Sequence, residues 1–166
     1  MTFRNTPRLM LCAAVASMIA VSSTPVVAAT ATGSLVISAT VLSTCALTGG
    51  TIPFGNYTSA QVDQTGTLSV LCTSGVPYSI ALDAGAGTGA TITARKMTGS
   101  GGGTLNYSLF RETGRTSNWG NTGTTDTVSS SGSGLLQTIT VYGRIPAGQT
   151  PIVGVYTDTV TVTLTY

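Results

Sequence analysis

The sequence has 166 residues, of which only 7% are charged, and a formal net charge of +2 at neutral pH. It contains no histidine, which excludes a histidine general base, a histidine-containing catalytic triad and a histidine metal site. The five carboxylates are scattered along the chain. We therefore predict that the protein is not an enzyme and that it binds no cofactor or metal.

Residues 1–29 have the pattern of a secretory signal peptide. Arg4 and Arg8 precede an apolar run over residues 9–21, and a small-residue stretch ends at Ala29. Because the run is too short to span a bilayer, we predict cleavage after Ala29, with Ala28 and Ala31 as alternatives. Removing two of the seven basic residues leaves five against five acidic residues, so residues 30–166 are neutral. This neutral chain gives no indication of a nucleic acid partner.

Short β-prone runs, separated by glycine, serine, asparagine and proline, fill the remaining chain. The first run, residues 35–42, alternates so that Leu35, Ile37, Ala39 and Val41 share one face. Further runs cover residues 66–72, 78–83, 105–111, 135–142 and 153–166. No segment has a helical pattern. These features predict an all-β, Greek-key sandwich in a single domain.

The last of these runs alternates threonine with apolar side chains up to the final residue. We expect the apolar members to face a core and the threonines to face water. The apolar members are Val160, Val162, Leu164 and Tyr166. Periodicity leaves open whether the run at residues 35–42 completes its own sandwich or that of another chain.

Cys45 and Cys72 are the only cysteines outside the signal peptide. Export brings them into an oxidising compartment, so we predict a disulfide between them. The alternative of a metal or redox pair lacks both a CxxC spacing and a histidine.

Several other motifs have simple structural explanations. Residues 85–90 match the GxGxxA dinucleotide pattern, but the β-branched residues that follow predict a hairpin tip rather than a helix. Trp119 could belong to an aromatic carbohydrate platform, although core packing is the simpler interpretation. Asp83 and Asp126 are expected to form turns, and Glu112 to form a surface ion pair with Arg111 or Arg115.

Seven local strings, taken together and in this order, resemble the spore coat protein U domain family, which includes archaic chaperone-usher pilins. They are the strand entering Cys45, Phe54-Gly-Asn-Tyr57, Cys72-Thr-Ser-Gly-Val-Pro-Tyr78, Leu105-Asn-Tyr-Ser-Leu109, Asn118-Trp-Gly120, Val141-Tyr-Gly-Arg-Ile-Pro-Ala-Gly-Gln149 and Gly154-Val-Tyr-Thr-Asp-Thr-Val160. The resemblance covers nearly all of residues 30–166, and the string that ends at Gln149 is its most specific part.

The resemblance implies an incomplete immunoglobulin-like sandwich that is completed by donor-strand exchange. Residues 30–41 would be the donor strand, with Leu35, Ile37, Ala39 and Val41 as its plugs, and residues 42–166 the pilin-like domain. The acceptor groove would include the strand with Val160, Val162, Leu164 and Tyr166. The implied partners are a periplasmic chaperone, an outer-membrane usher and other pilin subunits, and the implied location is a pilus on the cell surface that serves adhesion and biofilm formation.

Two alternatives remain at this stage. Residues 35–44 would serve as the first strand of a self-completed, monomeric sandwich, or the protein would be a secreted coat or matrix protein that assembles without chaperone or usher.

Overall fold

The structure is a computed structural model, and it describes residues 25–166. The predicted signal peptide therefore lies largely outside the described residues. Contacts divide the chain after Ala39 into two units. In the first unit, residues 25–39 form no helix or strand, and all of them are exposed.

The second unit is an all-β sandwich, as the sequence predicts, and no helix occurs between residues 40 and 166. Its strands are β1 (Cys45–Thr48), β2 (Val62–Cys72), β3 (Pro77–Leu82), β4 (Arg95–Gly99), β5 (Thr104–Phe110), β6 (Val128–Ser131), β7 (Leu136–Ile145), β8 (Tyr156–Thr157) and β9 (Val162–Thr165).

The strands form two antiparallel sheets. The large sheet has the order β1-β2-β7-β5-β4-β8, and the small sheet has the order β6-β3-β9. The longest pairing joins β2 to β7, from Val62 opposite Ile145 to Leu71 opposite Leu136. Non-consecutive neighbours such as β2 and β7 require the crossing connections that the sequence predicts.

Alternation along the strands builds the core between the sheets. In β2, Leu68, Val70 and Cys72 are buried, whereas Thr67 and Leu71 are exposed. The small sheet contributes its own inward-facing residues. These are Tyr78, Ile80 and Leu82 of β3, Val128 of β6, and Val162 and Leu164 of β9.

Trp119 lies at the centre of this core and is fully buried. Its indole N–H donates to the Ile80 carbonyl at 2.9 Å. The packing interpretation of Trp119 is thus confirmed, since a buried ring offers no surface to a carbohydrate.

Residues 153–166 contain two strands, β8 and β9, so the expectation of a single strand there is wrong. Residues 35–42 form no strand in the single chain, and their role as a donor strand stays a prediction. A strand needs a neighbour to pair with its backbone, and a favourable sequence pattern does not supply one.

Cys45 and Cys72 form a disulfide, as predicted. The bond joins directly opposite residues of β1 and β2. It therefore fixes the short edge strand β1, and with it the point where the chain enters the sandwich.

Candidate functional site

A cleft of about 490 Å³ opens between the two sheets. Its lining comes from both sheets and from the segment before β2, and most of it is apolar. The apolar side chains are Ile52, Phe54, Leu68, Leu82, Met97, Tyr107, Leu109, Val141, Tyr156, Val160 and Val162. We call this cleft the groove. Its apolar lining suits an apolar occupant better than a polar substrate.

One rim of the groove is β9 together with the residues that precede it. Within the described part of the chain, β9 pairs with β3 and with no second strand. It is therefore an edge strand whose outer N–H and C=O groups are available to another strand. Val160 and Val162 line the groove beside this edge.

The entry to β9 is fixed by Asp83. Its Oδ1 accepts from the Thr161 amide and the Gly85 amide, both at 2.9 Å. Burial alone would raise the pKa of Asp83, but these hydrogen bonds and the charge of Arg95 outweigh burial and lower it. Asp83 forms a turn, as predicted, and it also ties the end of β3 to the groove rim.

A second carboxylate, Asp158, anchors the same rim from the groove side. It accepts from the Tyr107 hydroxyl at 2.7 Å, and from the Ala86 and Thr159 amides at 2.8 Å. Burial first, and then Asp158, raises the pKa of Tyr107, so this phenol stays protonated and keeps donating. Sequence reasoning missed this pair, although Asp158 stands inside a family-like string.

Arg95 is another residue that no sequence pattern singled out. It is fully buried, and in the described part of the chain its guanidinium donates only to backbone carbonyls. Two of these, on Leu82 and Asp83, belong to the end of β3 beside the groove. Arg95 thereby holds the strand end that carries Asp83.

The opposite rim is the segment from Gly49 to Phe54, which forms no strand. Ile52 and Phe54 cover the inner face of the large sheet where Gly66 and Gly143 leave room. An added Cβ at Gly66 would lie 2.6 Å from Ile52 Cγ1, and one at Gly143 would lie 2.7 Å from Phe54 Cζ. These glycines are therefore required for the close approach.

Two of the family-like strings, those that end at Tyr57 and at Gln149, meet just beyond this rim. The Tyr57 hydroxyl donates to the Pro146 carbonyl at 2.8 Å and accepts from the Gln149 amide at 3.0 Å. The Gln149 side chain in turn bonds both backbone groups of Asn106, at 2.7 and 2.9 Å. Gln149 thus continues the pairing of β5 where β7 has ended.

The predicted acceptor residues are only partly brought together. Val160 and Val162 line the groove, and Leu164 is half-buried farther along β9. Tyr166 is 60% exposed, so the expectation that it faces the core is wrong. Its position explains this, because β9 ends at Thr165 and its last pairing is with Ser79.

The predicted plug residues are in no strand. Leu35 and Ile37 are each 85% exposed, Val41 is 82% exposed, and Ala39 is exposed as well. Large aliphatic side chains in water are unfavourable, and here several stand close together in sequence.

The structure also tests the interpretations of Glu112 and of residues 85–90. Among residues 25–166 Glu112 forms no ion pair, so the expectation of one with Arg111 or Arg115 is wrong. Its Oε1 instead accepts from the Thr116 amide and hydroxyl and from the Ser117 amide, at 2.6 to 2.9 Å. Residues 85–90 lie in a turn with positive φ at Gly85 and Gly89, and a β-bridge at Thr91 follows instead of a helix.

Across residues 25–166, no three acidic, cysteine or histidine side chains cluster as metal ligands would. The same part of the chain contains no helix that is long and apolar enough to cross a membrane.

Residues 31–163 match the family model of the spore coat protein U domain. The chain belongs to the spore coat protein U domain family. It is 36% identical over 170 residues to Protein U of Myxococcus xanthus, and the alignment covers 92% of this chain and 93% of that protein. The family resemblance inferred from the local strings is thus confirmed, and membership places the chain among structural proteins rather than enzymes.

The fold is similar to that of a chain in the CsuC-CsuE chaperone-tip adhesion subunit pre-assembly complex, from the archaic chaperone-usher Csu pili of Acinetobacter baumannii. The TM-score is 0.57 with 24% sequence identity, and the match covers 76% of this chain and 40% of the solved chain. At this identity, the likeness concerns the fold.

Proposed function

We propose that the protein is a structural subunit of a chaperone-usher pilus that polymerises by donor-strand complementation. Residues 30–41 of one subunit would enter the groove of the next, with Leu35, Ile37, Ala39 and Val41 as plugs. The observation that carries the proposal is an open apolar groove bounded by the edge strand β9. Fold similarity to a chain of a chaperone–subunit complex from a pilus adds support.

Apolar burial would drive insertion. Transfer of Leu35, Ile37 and Val41 from water into the groove is favourable by about 1.5 to 3 kcal/mol each, as an upper bound. Pairing with β9 would satisfy backbone groups along the edge, and the alternating plugs would set the register. Donor and acceptor are different surfaces, so the contact is heterologous and extends into a filament.

The proposal extends to the partners and the location. An apolar groove with an open edge needs a cover before assembly, and a periplasmic chaperone would provide it. An outer-membrane usher would then exchange the chaperone for the donor strand of another pilin subunit. The protein would be exported through its signal peptide, pass through the periplasm and end in a surface pilus that supports adhesion and biofilm formation.

Replacing Ile37 by Asp tests the plug assignment. A carboxylate has no partner in the groove, so we expect chaperone capture to persist while polymerisation stops. The measurement is the size distribution of the purified mature protein, with and without a co-expressed periplasmic chaperone.

Ser38→Asp is the matched control, because position 38 lies on the opposite face of an extended donor. Normal fibre yield from Ile37→Asp would move the plugs elsewhere. Fibres from a chain that lacks residues 30–41 would refute the donor assignment altogether.

A second candidate, a secreted coat or matrix protein, is favoured by the end-to-end match with Protein U and by the family description. In that case the sandwich would complete itself. A stable, soluble monomer whose residues 35–41 are protected from hydrogen exchange would support this candidate over the pilus.

A further inference from the structure

An exposed apolar patch lies at one end of the sandwich. Leu71 is 44% exposed, Leu135 is 73% exposed and Leu136 is 66% exposed. We call these three residues, with Ala46, the exit patch. Such a cluster on a soluble domain indicates a contact surface.

The exit patch is a continuous surface. Ala46, Leu71 and Leu136 come from the neighbouring strands β1, β2 and β7, where Leu71 is opposite both Ala46 and Leu136. All three are exposed, on the side of the large sheet away from the core. Leu135 is the residue directly before β7.

Backbone hydrogen bonds and the disulfide hold in place the segments that carry the exit patch. The Gly134 amide donates to the Cys72 carbonyl at 3.1 Å, and the Gly132 amide donates to the Val76 carbonyl at 2.8 Å. The Cys45–Cys72 disulfide lies beside these bonds. The surface is therefore preorganised for docking.

The chain leaves the sandwich at this same end. The Thr73 hydroxyl donates to the Leu42 carbonyl at 3.2 Å, and the Thr73 amide donates to the Thr44 carbonyl at 2.9 Å. Thr73 lies two residues after Leu71, which belongs to the exit patch. Residues 42–44 are thus held next to the exit patch, and Leu42 is itself 72% exposed.

The hydrogen bonds from Thr73 to Leu42 and Thr44 identify the occupant of the exit patch, provided that the proposed donor-strand function holds. Val41 would lie in the groove of the receiving subunit, while Leu42 is bonded to Thr73 of its own domain. Consecutive Cα atoms are only about 3.8 Å apart, so the receiving subunit must sit against this end of the sandwich. A covalent link of this length also gives the second contact a high effective concentration.

We propose that the exit patch packs against the receiving subunit, which is a second copy of this chain, and that this contact supplements the donor strand. Composition fits a protein partner, because residues 42–48, 69–76 and 130–138 contain no charged residue. With two contacts instead of one, consecutive subunits would keep a defined relative orientation.

A photo-crosslinking amino acid at position 136 tests this contact in assembled fibres. We expect an SDS-resistant dimer, with the crosslink mapped to a neighbouring subunit. Position 98 is the control, because Thr98 is exposed on β4, which β5 separates from β7 in the sheet. Fibres that form normally but give no crosslink at position 136 would overturn this inference and leave the proposed function intact.

A double variant, Leu135→Ser with Leu136→Ser, provides an independent measurement. Fibres should still form, because the plugs are unchanged, but they should dissociate in denaturant roughly tenfold faster or more. Thr138→Ser, an exposed change in the same strand, should leave the rate unchanged. Wild-type dissociation rates in the double variant would refute the contact, and failure of the wild-type chain to form any fibre would refute both proposals.

Discussion

Arg95→Met removes a cation from the centre of the fold at nearly constant side-chain length. Arg95 has no exposed surface and donates four hydrogen bonds to carbonyls. These run to Asp83 at 2.8 Å, Ile92 at 2.9 Å, Leu82 at 3.2 Å and Trp119 at 2.6 Å. Methionine would leave all four acceptors without this donor.

The cost follows from two opposing effects. Hydrogen bonds to a charged group contribute about 1.5 to 3 kcal/mol each, so four contribute about 6 to 12 kcal/mol. The several kcal/mol needed to desolvate the guanidinium offset part of this. We expect a net loss of about 3 to 5 kcal/mol in the free energy of unfolding, which lowers a urea midpoint by roughly 1 to 3 M.

The assay is urea unfolding of the purified mature protein, followed by the fluorescence of Trp119, the single tryptophan of the chain. Lys96→Met is the matched control: its ammonium makes one long bond, 3.4 Å to the Thr88 carbonyl, and its removal should cost less than about 0.5 kcal/mol. A loss below about 1 kcal/mol for Arg95→Met would refute the assigned role, because the carbonyls would then be satisfied in another way.

Three further predictions concern the disulfide, acid stability and donor register. Cys45→Ser with Cys72→Ser should lower the free energy of unfolding by about 3.5 kcal/mol, measured by urea unfolding, and an unchanged midpoint would contradict it. The Arg144 guanidinium, 2.7 Å from Asp63, lowers the pKa of that carboxyl below its ordinary value of 3.8. The stabilisation from this pair is therefore present above the unfolded-state pKa and is lost as pH falls through the folded-state pKa. Asp63→Asn should remove this stabilisation. Because the pair is partly exposed, the change in the free energy of unfolding should stay within about 1 kcal/mol in unfolding curves between pH 2 and 7. Val36→Asp should leave fibre yield nearly unchanged although Ile37→Asp abolishes it, since the two faces of the donor alternate, and the opposite result would shift the register by one residue.

Sequence patterns predicted the strands whose alternation is long and regular. The apolar positions of β2, β3 and β5 repeat every second residue, and the structure buries them on one face. By contrast, β4 begins with Arg95 and Lys96, and β6 contains three serines, so neither was expected. These strands form because their neighbours supply backbone partners, which overrides a weak local preference.

Local sequence patterns also predicted the side chains of the groove only in part. The alternation that ends in Tyr166 predicted a core-facing strand, and the family resemblance assigned it to one rim, but the other rim depends on Ile52 and Phe54 packing over Gly66 and Gly143. That contact joins segments far apart in sequence, and no local period encodes it. Arg95 was missed for a related reason, because its partners are carbonyls, which every residue carries.

The connection between the plugs and β1 limits where the last plug, Val41, can lie in its own sandwich. Leu42 and Thr44 are bonded to Thr73, at the end of β2. The groove is lined farther back on this strand, at Thr67 and Leu68, and Leu68 lies five positions before Thr73. At about 3.4 Å per residue, that separation is roughly 17 Å. Val41 is one residue from Leu42, so it cannot lie beside Leu68 of its own groove while the Thr73 bonds hold. Leu35 is seven residues from Leu42, which is about 24 Å of extended chain, so a self-completed sandwich would place Leu35 rather than Val41 beside Leu68. Hydrogen-exchange protection that is strongest near Leu35 in a monomer would therefore indicate self-completion.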